Sequence, residues 1–89
     1  MCRNIRVLHN FEPSTTSDEV RAAAIQYVRK VSGMTKPSKA NEAAFLAAVD
    51  GVAAVSKDLL NLLETNAPPR DRAVEAAKAR ARSARRFPA

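Results

Sequence analysis

Two residues near the N-terminus have side chains that could do covalent or acid–base chemistry. Cys2 is the single cysteine, and removal of the initiator methionine would leave its thiol beside its own α-amino group. Arg3 and Arg6 lie close in sequence, and positive charge favours the reactive thiolate. His9, the single histidine, could serve as the base for such a thiol. These two residues are the only weak candidates for catalysis.

The same two residues bear on metal binding and covalent catalysis. An amine, a thiolate and an imidazole can all bind metal, but a tetrahedral site needs four ligands and the chain offers one Cys and one His. A nucleophile and base also need an oxyanion site and a pocket, to which no motif points. We therefore predict no metal site, no cofactor and no catalytic residue, and keep a thiol- or metal-dependent protein using Cys2 and His9 as an alternative.

Basic residues near the C-terminus form the second chemical feature. Residues 67–89 hold seven cations against two carboxylates, so they carry +5 of the net charge of +6. The cations are Arg70, Arg72, Lys78, Arg80, Arg82, Arg85 and Arg86. Such a series can neutralise phosphates in a salt-dependent way that ignores base sequence. No aromatic residues alternate with the arginines to stack on bases, and a solvated helix that keeps a small protein in solution explains the pattern as well.

A third group of cations surrounds a predicted turn. Arg29, Lys30, Lys36 and Lys39 lie around residues 32–41, and Ser38 adds a hydroxyl at the start of the following helix. Free backbone N–H groups at such a position can hold a phosphate or a carboxylate. A serine-capped turn between two helices has the same composition without binding anything. With two glycines in the chain, no phosphate-binding loop or dinucleotide fingerprint adds to this signal.

Length and composition limit what these residues can be part of. Eighty-nine residues form one domain with a thin core, and alanine supplies much of the apolar content. No run of apolar residues is long enough to span a membrane, and the N-terminus lacks the apolar region of a secretory signal. A lone cysteine fits a reducing compartment. We therefore expect a cytoplasmic protein without a large enclosed pocket.

Apolar spacing and capping signals predict three helices. A capping box formed by Thr16 and Glu19 opens a helix over 17–32, and Gly33 ends it. A second helix runs over 39–65 from Ser38 to the Asn66-Ala67-Pro68-Pro69 break. A third begins after the prolines and extends through residue 84. The predicted buried stripe comprises Val20, Tyr27, Val28, Phe45, Val49, Val52 and Leu59.

These elements predict an all-α fold. The first two helices form an antiparallel hairpin, residues 3–8 lie over it as an extended segment, and the third helix is basic. No second strand-like run is present, so we expect no sheet within one chain. We divide the chain into a body, 1–66, and a proline-separated basic tail, 67–89. The long apolar faces also allow a homodimer.

Several separate blocks of the sequence resemble one known family. The opening MCRNI, the run RAAAIQYVRKVSG, the segment KPSKANEAAF and the later APPRDR with its EAAKARA continuation are similar to the small bacterial proteins grouped as domain of unknown function 2277. One departure is Met34, where an aromatic such as phenylalanine is expected. The resemblance implies a short helical cytoplasmic protein, and it implies no activity, cofactor or catalytic residue.

The function that we expect from the sequence is binding without catalysis. The basic tail would contact RNA, DNA or a ribonucleoprotein, helped by Lys36 and Lys39. The thiol- or metal-dependent protein and a homodimeric structural interaction protein remain the alternatives.

Overall fold

The computed structural model describes residues 4–86, with side chains through residue 84, and most of them are helical. The elements are strand β1 (Phe11–Glu12), helix α1 (Ser17–Ser32), a 3-10 turn (Lys39–Asn41), helix α2 (Glu42–Leu62), strand β2 (Arg70–Asp71) and helix α3 (Arg72–Arg86). The predominance of helix agrees with the predicted class. None of the helices within 4–86 is long and apolar enough to cross a bilayer.

Helix α1 has the bounds that its capping signals predict. The Thr16 hydroxyl accepts a hydrogen bond from the backbone N–H of Glu19 at 3.2 Å, and the Thr16 N–H donates to the Glu19 carboxylate at 3.0 Å. At the other end Gly33 adopts a left-handed conformation (φ 73°) and donates its N–H to the Arg29 carbonyl at 2.9 Å. Glycine tolerates this conformation because it has no Cβ.

Helix α2 is shorter than predicted at both ends. Its first residues form the 3-10 turn, in which the Ser38 hydroxyl accepts from the Asn41 side-chain amide at 2.8 Å rather than from a backbone N–H. At the other end Leu63 is already extended, so the predicted boundary at residue 65 is wrong. The Thr65 hydroxyl accepts from the Ala67 N–H at 3.0 Å. Such local side-chain bonds offer the backbone an alternative to the helix.

The core lies between α1 and α2 and is small. Val20, Ala24 and Val28 of α1 and Val49 of α2 are buried. Four partly buried residues pack against this cluster: Ile25, Phe45, Val52 and Ala53. The prediction was wrong for Tyr27 and Leu59, whose exposed fractions are 49% and 55%. Among the described residues, α1 is the one helix that packs extensively on α2, so side chains away from that contact stay in solvent.

A two-stranded parallel sheet corrects the expectation that no strand would find a partner. Phe11 pairs with Arg70 and Glu12 with Asp71. The Arg70 N–H also donates to the Asn10 carbonyl at 2.7 Å. Two-residue strands are too short to show a period-2 pattern, and therefore this pairing left no signal in the sequence. The predicted extended segment forms no strand over residues 4–8, where Ile5 and Val7 are exposed.

Candidate nucleic-acid interface

The start of α3 is fixed to the start of α1 by Arg72. Its guanidinium donates two parallel hydrogen bonds to the Glu19 carboxylate, at 2.8 and 2.9 Å. It also donates to the backbone carbonyls of Pro13, at 2.7 Å, and Ser14, at 2.9 Å. Four of the hydrogen bonds that the guanidinium can donate therefore go to the chain itself. This fork matches a carboxylate in a way that a lysine ammonium cannot.

The Glu19 carboxylate is held in its charged form. The hydrogen bonds from Arg72 and then from the Thr16 backbone lower the pKa of Glu19 from 4.5 to about 2, against a smaller opposing effect of burial. Arg6 adds a third contribution through a contact of 3.0 Å. A carboxyl group with so low a pKa is no general acid near neutral pH. Glu19 therefore acts as the anionic centre that joins two arginines.

Asn10 fixes the proline-rich segment that leads into α3. Its backbone is left-handed (φ 63°), which asparagine adopts more readily than most residues. Its side-chain amide donates to the carbonyls of Ala67, at 3.3 Å, and Pro68, at 3.1 Å. The Asp71 carboxylate then caps α3 by accepting from the Val74 N–H at 3.0 Å. The direction of α3 is thus defined by contacts on either side of the β1–β2 pair.

An arginine-rich groove, which we call the arginine groove, lies between the N-terminal segment and α3. It has a volume of about 710 Å³. One side comes from the N-terminal segment and the other from β2 and α3; the lining residues are Arg6, Val7, Phe11, Arg70, Arg72, Glu75, Ala76, Ala79, Arg80 and Arg82. Five arginines and one carboxylate therefore border a single depression.

The five arginines of the groove differ in what they already contact. Arg6 and Arg72 are bound to Glu19, and the Arg72 guanidinium also lies 5.6 Å from the centre of the Phe11 ring. No carboxylate within the described residues pairs with Arg70, Arg80 or Arg82, all of which are exposed. These three guanidiniums have their donors available for an external anion.

The other predicted cations of the tail occupy different surroundings. Lys78 lies 3.6 Å from Glu75 on the next turn of α3. At 100° per residue, Arg80 and Arg82 lie on either flank of the side of α3 that carries Ala79 and lines the groove, while Lys78 lies beyond Arg82, further from that side. Arg85 and Arg86 end α3, and their side chains lie outside the described part of the chain. The tail is therefore not one uniform basic face.

The cations around the α1–α2 connection are not part of this groove. Arg29, Lys30, Lys36, Ser38 and Lys39 are all exposed. Arg29 and Lys30 lie in the last turn of α1 and the other three residues follow it, whereas Glu19 lies in the first turn of this 16-residue helix. None of these residues lines the arginine groove, so Lys36 and Lys39, which were predicted to help the tail, lie outside it.

The catalytic candidates are placed only in part. Cys2 lies outside the described residues. His9 is half-buried and lines a cavity of about 380 Å³ together with Ser14, Thr15, Ser17 and Lys57, among other residues. Within the part of the chain that the structure describes, no three His, Cys, Asp or Glu side chains are grouped as metal ligands would be.

Sequence reasoning missed the contacts that shape the groove. Sequence patterns place Glu19 in the capping box and Arg72 in the basic tail, and they do not indicate that the two side chains meet. Their pairing spans 53 positions, and charge periodicity shows nothing at that separation. The one local signal was the PPRDR run, which places Arg72 just after two prolines that restrict the backbone.

Comparison with known proteins identifies a family. The family model described as "Uncharacterized conserved protein (DUF2277)" matches residues 1–78. The match covers most of the chain, including the N-terminal segment, both long helices and the first half of α3. The chain belongs to this family, as its sequence blocks predicted. Neither the curated proteins nor the solved structures contain a match.

Proposed function

We propose that this DUF2277 protein is a non-catalytic binding protein whose arginine groove contacts the phosphate backbone of RNA or DNA, free or in a ribonucleoprotein. The observation that carries the proposal is the position of Arg70, Arg80 and Arg82. All three border one groove, all are exposed, and no carboxylate of the described residues neutralises them. Guanidinium groups bind phosphate oxygens through paired N–H donors.

The contacts of Arg72 support a positioning role for that residue. Because Glu19, Pro13 and Ser14 occupy most of its donors, Arg72 has little capacity left for a phosphate. It holds α3 at the edge of the groove instead. We therefore leave Arg72 out of the proposed phosphate contacts and regard Arg70, Arg80 and Arg82 as their centre, with Arg85 and Arg86 further along α3.

We propose that the groove recognises the negative charge of the phosphates and not the base sequence. No tryptophan or tyrosine borders the groove, and its one aromatic ring, Phe11, lies under the Arg72 guanidinium. Base stacking of the kind that single-strand binders use thus has no platform in the described groove. Binding should instead follow counterion release, which makes affinity fall steeply with salt.

The scaffold that we propose for this groove is an antiparallel hairpin of α1 and α2. Three pairs of residues support it. Arg21 and Asp50 form an ion pair at 2.8 Å, Val20 near the start of α1 lines a cavity with Leu60 near the end of α2, and Val28 lines another with Phe45 near the start of α2. The division at residue 66 stays a prediction, and the hydrogen bonds of Asn10 and Arg72 cross it. A bacterial cytoplasm is the location that we propose, on the basis of composition and family resemblance.

A salt titration of binding tests the function. We expect full-length protein to bind duplex DNA and structured RNA, with log affinity falling against log salt at a slope of about −3 to −5 for four to six phosphate contacts. Truncation after Asn66 is a poor test, because it removes the Arg72–Glu19 contact together with the cations. Absence of binding to both nucleic acids at low salt would overturn the proposal.

A further inference from the structure

Another cavity borders the core at the connection between α1 and α2. It has a volume of about 550 Å³. Helix α1, the connection and helix α2 each supply part of its lining, among them Ile25, Arg29, Thr35, Lys36, Leu46 and Val49. We call it the connection cavity. It contains part of the basic cluster around the turn, which the proposed nucleic-acid interface leaves unused.

Four apolar side chains line the connection cavity. Ile25 and Phe45 are partly buried and pack on the core, and Val49 is fully buried. Leu46 lines the same cavity and is 45% exposed. An apolar group bound there would cover Leu46 and contact side chains that already belong to the core. Because burial of apolar surface is favourable, this lining favours a ligand with an apolar part over an inorganic ion.

The charged residues that line the connection cavity are all cations. They are Arg21, Arg29 and Lys36, and no carboxylate of the described residues lines it. Arg21 is neutralised, since it donates to Asp50 at 2.8 Å. Arg29 and Lys36 are exposed, and neither forms an ion pair within residues 4–86. The side of the cavity nearest the connection therefore carries two positive charges that the chain does not compensate.

The size of the cavity fits a small molecule better than a protein. Small-molecule sites have volumes of about 300–1,000 Å³. Nine residues line the connection cavity, whereas a stable protein interface uses about 20–30 residues on each side. Arg21 and Arg29 are eight residues apart on α1, which corresponds to about 12 Å along the helix axis. This span is comparable to the extended length of a medium-chain acyl group.

We propose that the connection cavity binds the anion of a medium-chain fatty acid. Its carboxylate would accept hydrogen bonds from Arg29 and Lys36, and its acyl chain would lie against Ile25, Phe45 and Leu46. Charge complementarity at one side and an apolar lining at the other carry this assignment, because the ligand must combine both properties. The inference goes beyond the proposed nucleic-acid binding and does not depend on it, since none of these residues lines the arginine groove.

Isothermal titration of the full chain with three probes tests the chemistry of the ligand. We expect decanoate, below its micelle concentration, to bind saturably with one molecule per chain. Acetate has the same head group without the chain, and decyltrimethylammonium has the same chain with a cationic head group. Neither should bind at concentrations that saturate the protein with decanoate. Absence of decanoate binding, or binding of either control as tight as that of decanoate, overturns the proposal.

Two matched double variants test the role of the cations. Arg29→Gln/Lys36→Gln removes the two charges that line the cavity, whereas Lys30→Gln/Lys39→Gln removes two exposed charges nearby that do not line it. We expect the first to bind decanoate about tenfold more weakly, because charge-assisted hydrogen bonds are lost. The second should bind like the wild type. Equal affinities of the two variants, whether both reduced or both unchanged, contradict a carboxylate held by Arg29 and Lys36.

The position of the bound chain is tested by NMR of the full-length protein with decanoate. We expect the largest changes in amide chemical shift at Ile25 and Leu46. A neighbouring apolar cavity of about 300 Å³ is lined by Tyr27 and Val31 and competes as a site for an acyl chain. Phe45 lines both cavities and does not distinguish them. Shift changes centred on Tyr27 and Val31 would place the ligand in the other cavity and overturn the assignment.

Discussion

Arg72 and Glu19 are 53 positions apart in sequence and are joined by two hydrogen bonds of 2.8 and 2.9 Å. The pair links the first turn of α3 to the first turn of α1, next to the β1–β2 bridge. It therefore holds the start of α3 beside the start of α1, and it fixes the position of Arg72 at the border of the arginine groove. Its loss would remove the one ion pair that joins α3 to another element within the described residues.

The first prediction concerns the geometry of this pair. Arg72→Lys keeps the charge but cannot make the paired contact with Glu19 or reach both loop carbonyls. We expect its melting temperature to fall by several degrees, nearly as far as that of Arg72→Gln. Arg80→Lys, at an exposed position with no ion-pair partner among the described residues, should melt like the wild type. Thermal melts followed by circular dichroism decide this, and an Arg72→Lys protein as stable as the wild type would show that charge alone matters.

The second prediction concerns pH. Because the pKa of Glu19 is lowered from 4.5 to about 2 in the folded protein, its contribution to stability is complete above pH 4.5 and is lost as pH falls towards 2. Glu19→Gln removes this contribution at every pH, and we expect a loss of about 2 kcal/mol near neutrality.

Urea unfolding of both proteins across this pH range is the measurement. The stability difference between wild type and Glu19→Gln should be constant above pH 4.5 and should shrink steadily below it. A difference that does not change between pH 5 and 2.5 would rule out a lowered pKa at Glu19.

The third prediction separates backbone from side chain at Asn10. Asn10→Gly can keep the left-handed backbone but loses the side-chain hydrogen bonds to Ala67 and Pro68. Asn10→Ala loses the same hydrogen bonds and also disfavours the left-handed backbone. We expect Asn10→Ala to be less stable than Asn10→Gly by about 1 kcal/mol, the cost of a left-handed non-glycine residue. Denaturant unfolding of the two variants measures the difference. Equal stability would mean that the backbone at position 10 readjusts.

Sequence information was sufficient where the signal was local. The Thr16 capping box and Gly33 fixed both ends of α1, and apolar spacing identified Val20, Val28 and Val49 as core. It failed for Tyr27 and Leu59, because helical periodicity shows that a face is apolar but not whether a partner covers it.

The arginine groove could not be predicted for a different reason. Its shape depends on the Arg72–Glu19 pair and on the Asn10 amide, which join segments more than 50 positions apart. The sequence alone shows that most of the net positive charge lies after residue 66. It could not show that Arg72 already donates to Glu19 and to two carbonyls, that Lys78 lies away from the groove, or that the cations near Lys36 lie outside it.

The most direct test of the proposed function compares two matched double variants in the salt titration. Arg80→Gln/Arg82→Gln and Lys36→Gln/Lys39→Gln each remove two positive charges, from the arginine groove and from the α1–α2 connection respectively. We expect the first to bind nucleic acid more weakly, with a salt slope shallower by about 2, because each phosphate contact contributes about 0.9 to the slope. The second should keep the wild-type slope. Equal slopes for the two variants, whether both changed or both unchanged, would contradict a groove that binds phosphate through Arg80 and Arg82.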